Sequence, residues 1–279
     1  MIDTQNSDTS SSKKVIRFHQ FIHVEKGKVN SAVIDLLKGN VYHVENHIIK
    51  KLEEHRYDEI TQFLNDARDE NLLIEVNENT WIPRDDFGIE PLLDLSGNEE
   101  PLYLELHVDE KINLSLLLEK FKKRNIAKII YYSTQIPPEI TQPERIVLKE
   151  KNHSTCYTIT TVVGNFSRID QSFYSFNLKH NSCWGQKIAF SSEGKIKPCI
   201  YSHISIMDFN PDVLDFDIDT VISLLQKYWD ISKNKVEKCK DCEFRYICFD
   251  CREIPFEQYR NIFAPNPLCK YDPDKGSWE

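Results

Sequence analysis

CKDCEFRYICFDC, residues 239–251, packs four of the chain's eight cysteines into one short run. The spacing is Cys239-x2-Cys242-x5-Cys248-x2-Cys251. Two residues between thiols let both sulfurs of one tight turn grip the same ion or cluster, so this spacing recurs in zinc knuckles and iron–sulfur sites. Thiolates are soft ligands and select zinc or iron–sulfur over calcium or magnesium. Working outward, Cys183 lies upstream, followed by ten residues, Gly194, four more residues and Cys199; Cys269 stands alone downstream. Seven thiols exceed one tetrahedral zinc site and nearly fill two four-ligand sites. No cysteine falls in residues 1–155. The eighth, Cys156, sits in an apolar strand pattern and reads as a buried thiol.

The chain has 279 residues, enough for about two domains or one large one. Its net charge of −9 argues against a nucleic acid or an anionic membrane as partner, since either calls for a basic footprint. No apolar run approaches the ~18 residues of a membrane span. The opening, MIDTQNSDTSSSKK, lacks the apolar core of a secretory signal and reads as a polar disordered tail over residues 1–14. The expected location is therefore cytoplasmic, a reducing compartment in which a cysteine cluster binds metal rather than forming disulfides. Neither a dinucleotide-binding glycine fingerprint nor a P-loop is present.

The pattern predicts an α+β chain. Residues 15–90 carry strand signals in VIRFHQFIHVE, a turn at Lys26-Gly27-Lys28, and a hairpin in SAVIDLLKGNVYHV closed at Gly39-Asn40. Helical spacing follows over His47–Glu54 and Tyr57–Asn71, and LLIEV with WIP then returns as a strand or pair. This describes a winged-helix-like module, read either as an ordinary α+β domain or as a peptide clamp in which a strand edge accepts an extended peptide. Residues 91–175 form a short α/β segment: strand 101–108, amphipathic helix 114–125 and strand 127–134 make one βαβ unit, with further strands in RIVLKEK and TCYTITTVV. Residues 176–279 are the cysteine-rich part. His19, His23, His43 and His47 read as surface or half-buried histidines. The acidic stretch 208–219 reads as a solvated loop capping a helix at Thr220–Tyr228.

The order C-x10-G-x4-C, gap, C-x2-C-x5-C, C, gap, C over residues 183–269 resembles the SPASM domain, the C-terminal extension of radical S-adenosylmethionine enzymes that mature peptides and carry auxiliary 4Fe-4S clusters. The resemblance implies that Cys239, Cys242, Cys248 and Cys269 hold one cluster. It gives Cys183, Cys199 and Cys251 to the other, leaving that one a ligand short, a place for a histidine (His180 or His203), an open iron, a substrate group or a partner. One departure is that Phe249-Asp250 supply two residues where the family has three. A second is the absence of the N-terminal three-cysteine motif that binds the S-adenosylmethionine-cleaving cluster.

The stretch VIRFHQFIHVEKGKVNSAVIDLLKGNVYHVENHIIKKLEE resembles the opening of grasp-with-spasm peptide maturases. That implies a pseudo-radical-SAM protein whose middle segment is a truncated, degenerate radical-SAM-like layer, with a ribosomal precursor peptide and an ATP-grasp ligase as partners. The resulting expectation is an accessory protein of ribosomal peptide (RiPP) maturation with one or two 4Fe-4S clusters. An iron–sulfur redox enzyme acting on the peptide, and a zinc-stapled interaction protein, stand as alternatives.

Overall fold

A computed structural model describes residues 13–78, 103–133, 135–136, 145–149 and 169–279. The chain is mixed α and β, and its first unit is built from two small sheets. Strands β1 (Lys14–Phe18) and β5 (Leu73–Asn77) pair antiparallel, from Lys14 opposite Asn77 to Phe18 opposite Leu73. Strands β2 (Ile22–Lys26), β3 (Asn30–Asp35) and β4 (Asn40–Glu45) form an antiparallel meander. The apolar run VIRFHQFIHVE is thus two strands. It breaks at a turn in which the Ile22 N–H donates to the His19 carbonyl, and each half pairs with a different partner. Helices α1 (Asn46–Glu53) and α2 (Thr61–Asp69), joined by a 3-10 turn at Tyr57–Ile60, follow with Ile49, Leu52, Ile60, Leu64 and Ala67 buried.

Strand β3 explains how this unit joins the rest. Successive side chains of a strand face opposite ways. Val33 packs with Ile22, Ile49, Ala67 and Leu72 on the helical side. Ala32 and Ile34, with Leu36 just beyond, pack instead with Phe244, Tyr246, Ile247 and Tyr271 of the cysteine-rich region. Both faces being buried, the segment reads as a continuous apolar run rather than an alternating one. Gly27, in the β2–β3 turn, makes the approach possible. A Cβ there would lie 2.8 Å from the Glu243 backbone nitrogen, and the adjacent Lys28 N–H donates to the Asp241 carbonyl at 2.9 Å.

The larger sheet has six strands among the described residues, in the order β11-β10-β9-β6-β7-β8. Strand β6 (Tyr103–Asp109), helix α3 (Leu114–Lys120) and strand β7 (Asn125–Tyr132) form the expected parallel βαβ unit, and β8 (Ile146–Leu148) extends it. Strand β9 (Lys187–Ser191) adds parallel to β6, and β10 (Lys195–Lys197) and β11 (Met207–Asp208) turn back antiparallel. The sheet therefore crosses the 175/176 boundary drawn from composition. Its main core joins Leu104, Leu106 and Val108 of β6 to Leu117, Phe121, Phe190, Leu225 and Trp229. Helix α5 (Ile218–Trp229) supplies the last two and is capped by Asp217, whose carboxylate accepts the Thr220 N–H at 2.8 Å. Helix α3 ends at Lys120, five residues short of the apolar pattern.

Helix α4 (Gln171–Lys179) leads into the cysteine-rich region, which ends with helix α6 (Glu253–Tyr259) and the small hairpin β12 (Tyr271–Asp272) and β13 (Ser277–Trp278). Cys156, the strand expected at 155–163, the residues WIP and most of the N-terminal tail lie outside the described residues. Among the described residues no helix is long and apolar enough to cross a membrane.

Candidate metal centre

Among the described residues seven cysteines, none in a disulfide, fall into two neighbourhoods. In the first, Cys183, Cys199 and Cys251 are buried in one cluster with Trp184, Ile231 and Val236. Local backbone chemistry places each. After α4, the Asn181 side-chain oxygen accepts the N–H groups of Cys183 at 2.9 Å and Trp184 at 2.8 Å, folding the tight turn that carries Cys183. Gly194 closes the β9–β10 turn at φ +69°, where a Cβ would lie 2.5 Å from the Phe209 carbonyl oxygen; β10 ends at Lys197, and Cys199 follows in the bend beyond it. The motif glycine is therefore a geometric requirement of the hairpin. Cys251 precedes α6, and the Cys183 and Cys251 thiols are hydrogen-bonded to each other. That bond brings Cys183 down to about 7 and pushes Cys251 up.

The second neighbourhood holds Cys239, Cys242, Cys248 and Cys269. The Cys242 N–H donates to the Cys239 carbonyl at 3.0 Å, and the Cys248 N–H to the Phe244 carbonyl at 3.0 Å, the turns that the x2 and x5 spacings build. Cys242 and Cys269 pack together against the Phe244, Tyr246 and Tyr271 cluster. Burial pushes Cys242 above the usual thiol range, and the neighbouring Glu243 carboxylate, then Cys248 and Cys239, add to that rise. Burial likewise raises Cys239, to about 11. Cys239 also packs at the margin of the first cluster, so it sits between the two groups.

Between them runs a buried charged layer that the cysteine pattern does not announce. The Lys233 ammonium, 8% exposed, lies 2.9 Å from the Cys248 sulfur. Burial opposes its charge, but Cys248, Asp250 and Cys239 outweigh that and hold its pKa above the ordinary lysine value. Asp250 and Arg252, both fully buried, form an ion pair. Asp250 is anchored beside the first group, its N–H donating to Ser182 Oγ at 2.8 Å, while Arg252 donates to the Ala264 carbonyl at 2.8 Å. The two-residue link Phe249-Asp250 thus carries the chain from Cys248 in one neighbourhood to Cys251 in the other. The shortened spacing leaves Cys251 with Cys183 and Cys199.

His180 and His203 are engaged by carboxylates. His180 Nδ1 lies 3.2 Å from Asp230, and His203 Nδ1 lies 2.7 Å from Glu253. Glu253 is itself buried and also accepts from Ser202 Oγ at 2.6 Å and the His203 N–H at 2.8 Å. His43, one of the histidines read from sequence as surface or half-buried, reaches across from β4 to Glu243 at 2.6 Å, beside Cys242, and Tyr271 donates to the same carboxylate. No sequence signal marked Lys233, Asp250, Arg252 or Glu243, because such residues are rarely buried unless paired.

Seven thiols are soft donors of the kind that zinc and iron–sulfur clusters take, and the Lys233 ammonium lies beside one sulfur, where it would offset anionic charge. Among the described residues no three His, Cys, Asp or Glu side chains close into a group that could hold a metal ion as they stand. Loading a metal or cluster would require these thiols to rearrange and to release their protons. No family model, curated protein or solved structure matches this chain.

Proposed function

We propose that this chain is an accessory protein of ribosomal peptide maturation that carries 4Fe-4S clusters at the two thiol neighbourhoods and presents a precursor peptide to an ATP-grasp ligase in the cytoplasm. The observation that carries the reading is the division of the cysteines. Cys183, Cys199 and Cys251 separate from Cys242, Cys248 and Cys269, a division that supports the interleaved ligation for those six, while Cys239 borders both groups. The proposed ligands are Cys183, Cys199 and Cys251 for site one, and Cys239, Cys242, Cys248 and Cys269 for site two. When bound, the clusters supply redox capacity or a rigid cross-link; the chain's own thiolates hold them, and Lys233 offsets negative charge at site two.

In this reading β1–β5 with α1 and α2 are the winged-helix-like module, and β6–β8 with α3 are a degenerate remnant of a radical-SAM-like layer. A cleft of about 390 Å³ between β1, β2 and α1 supports the peptide-binding role. Ile16, Phe18, Val24, Ile49 and Leu52 give it apolar walls, and the Lys26–Glu53 ion pair lies at its edge. Strands β1 and β2 lie in different sheets, so an extended peptide has two strands flanking it.

The test is anaerobic purification followed by iron, sulfide and zinc analysis. About eight iron and eight sulfide per chain, in brown protein, are expected for two cubane clusters. Zinc without sulfide overturns the cluster assignment and leaves a stapled scaffold. For the peptide, a Val24→Glu variant in the cleft should abolish binding of a labelled precursor while retaining iron; unchanged affinity removes the clamp.

A further inference from the structure

Two buried N–H donors next to Cys183 have no acceptor among the described residues. The Trp184 indole is fully buried, and its Nε1 meets no hydrogen-bond partner. Asn181 is 1% exposed, and its Nδ2 is likewise unmatched. The Asn181 amide is not free to flip: its oxygen is already held by the N–H groups of Cys183 and Trp184, so the nitrogen must face away from them. Buried donors without acceptors are rare and costly, and each calls for a partner that the protein alone does not supply. Both donors flank the same cysteine, and the indole packs in the cluster that holds Cys183, Cys199 and Cys251.

The acceptor most naturally present there is sulfur. Thiolates and bridging sulfides of an iron–sulfur cluster accept N–H bonds, and such bonds tune its potential. We infer that the Trp184 indole and the Asn181 carboxamide donate hydrogen bonds to sulfur at site one, and so act as positioning residues that favour its reduced state. The inference rests on the cluster reading of site one. Its physical basis is that an N–H dipole stabilises the more negative sulfur of the reduced cluster.

The experiment uses the full chain, purified anaerobically with its iron and sulfide. Trp184→Phe keeps an aromatic ring but deletes the N–H. Asn181→Asp keeps the oxygen that folds the turn and replaces the donor with an acceptor. Both should retain iron and sulfide while the reduction of one cluster becomes about tenfold less favourable, ~59 mV for a one-electron couple. In wild-type protein grown with 15N-indole tryptophan, the reduced cluster should show a hyperfine coupling to nitrogen that Trp184→Phe loses. This labelled measurement decides the matter even if a variant fails to fold. Intact iron and sulfide with an unmoved potential and no nitrogen coupling overturns the inference alone. Wild-type protein with no iron or sulfide at site one removes the cluster reading, and the inference with it.

Discussion

The two thiol neighbourhoods are built differently although they share one thirteen-residue run. Site one is apolar: its three cysteines pack with Trp184, Ile231 and Val236. Site two is charged and composite: Lys233 touches Cys248, Glu243 follows Cys242, and β3 of the N-terminal unit covers the aromatic cluster on which Cys242 and Cys269 rest. A metal at site one would therefore secure the sheet to the turn after α4. A metal at site two would secure the N-terminal unit to the rest of the chain. Peptide binding at the β1–β2 cleft is expected to communicate with site two rather than site one, because β2 and β3 are in register from Ile22 to Lys26 and β3 rests on site two.

Cys239 is the residue that could collapse the distinction. Cys239→Ser should remove about half of the iron and sulfide, leaving site one's spectrum intact. Loss of site one's signal instead would make Cys239 the missing ligand there and redraw the partition.

The next effect concerns the sheet beside site one. His107 is buried on β6, with Nε2 2.6 Å from Glu105 and Nδ1 2.9 Å from the Tyr132 hydroxyl, and Tyr132 stands edge-on to Tyr201 of the site-one cluster. Burial lowers His107 to about 4, the Glu105 contact opposing it only in part. A base whose folded value is depressed stabilises the fold above its unfolded value. That stability is lost as pH falls, here from about 6.5 toward 4, and amounts to about 3 kcal/mol. His107→Gln should flatten the fall in unfolding free energy between pH 6.5 and 4 in denaturant titrations, while metal retention at site two is unaffected. An unchanged slope would show that His107 does not carry the acid sensitivity.

Smaller and confined to site two, Lys233→Met should weaken metal retention there by about ten- to hundredfold, the usual cost of losing an outer-shell partner. Competition with a chelator reads this, and equal loss at both sites would contradict the separation. Smallest is Gly27→Ala, which pushes a methyl toward Glu243 and should lower stability by about 1 kcal/mol in thermal melts. Its effect on metal should appear at site two only.

Much of the fold was legible in sequence wherever local pattern and tertiary partner agree. The Gly39-Asn40 hairpin, the βαβ unit over β6, α3 and β7, the helices after His47 and Tyr57, and the acidic cap of α5 followed from periodicity and turn chemistry, but the stretch 208–219 is not the solvated loop expected, because its Phe209, Leu214 and Phe216 are buried in the main core. What was hidden is non-local. Nothing in SAVIDLL says that its two faces meet different partners, and nothing in the cysteine spacing says that β9–β11, on either side of Cys199, complete a sheet begun at β6. The candidate ligands were legible because thiol spacing is a local signal. Lys233, Asp250, Arg252 and Glu243 were not, since a buried charge is recognisable only once its partner is in place.

The most direct measurement is iron and sulfide content with low-temperature electron paramagnetic resonance on Cys251→Ser and Cys269→Ser, both purified anaerobically beside the wild type. The account predicts that each variant loses about half of the iron and a different one of two reduced-cluster signals. Loss of both signals in either variant, or of the same signal in both, would contradict two separately built sites.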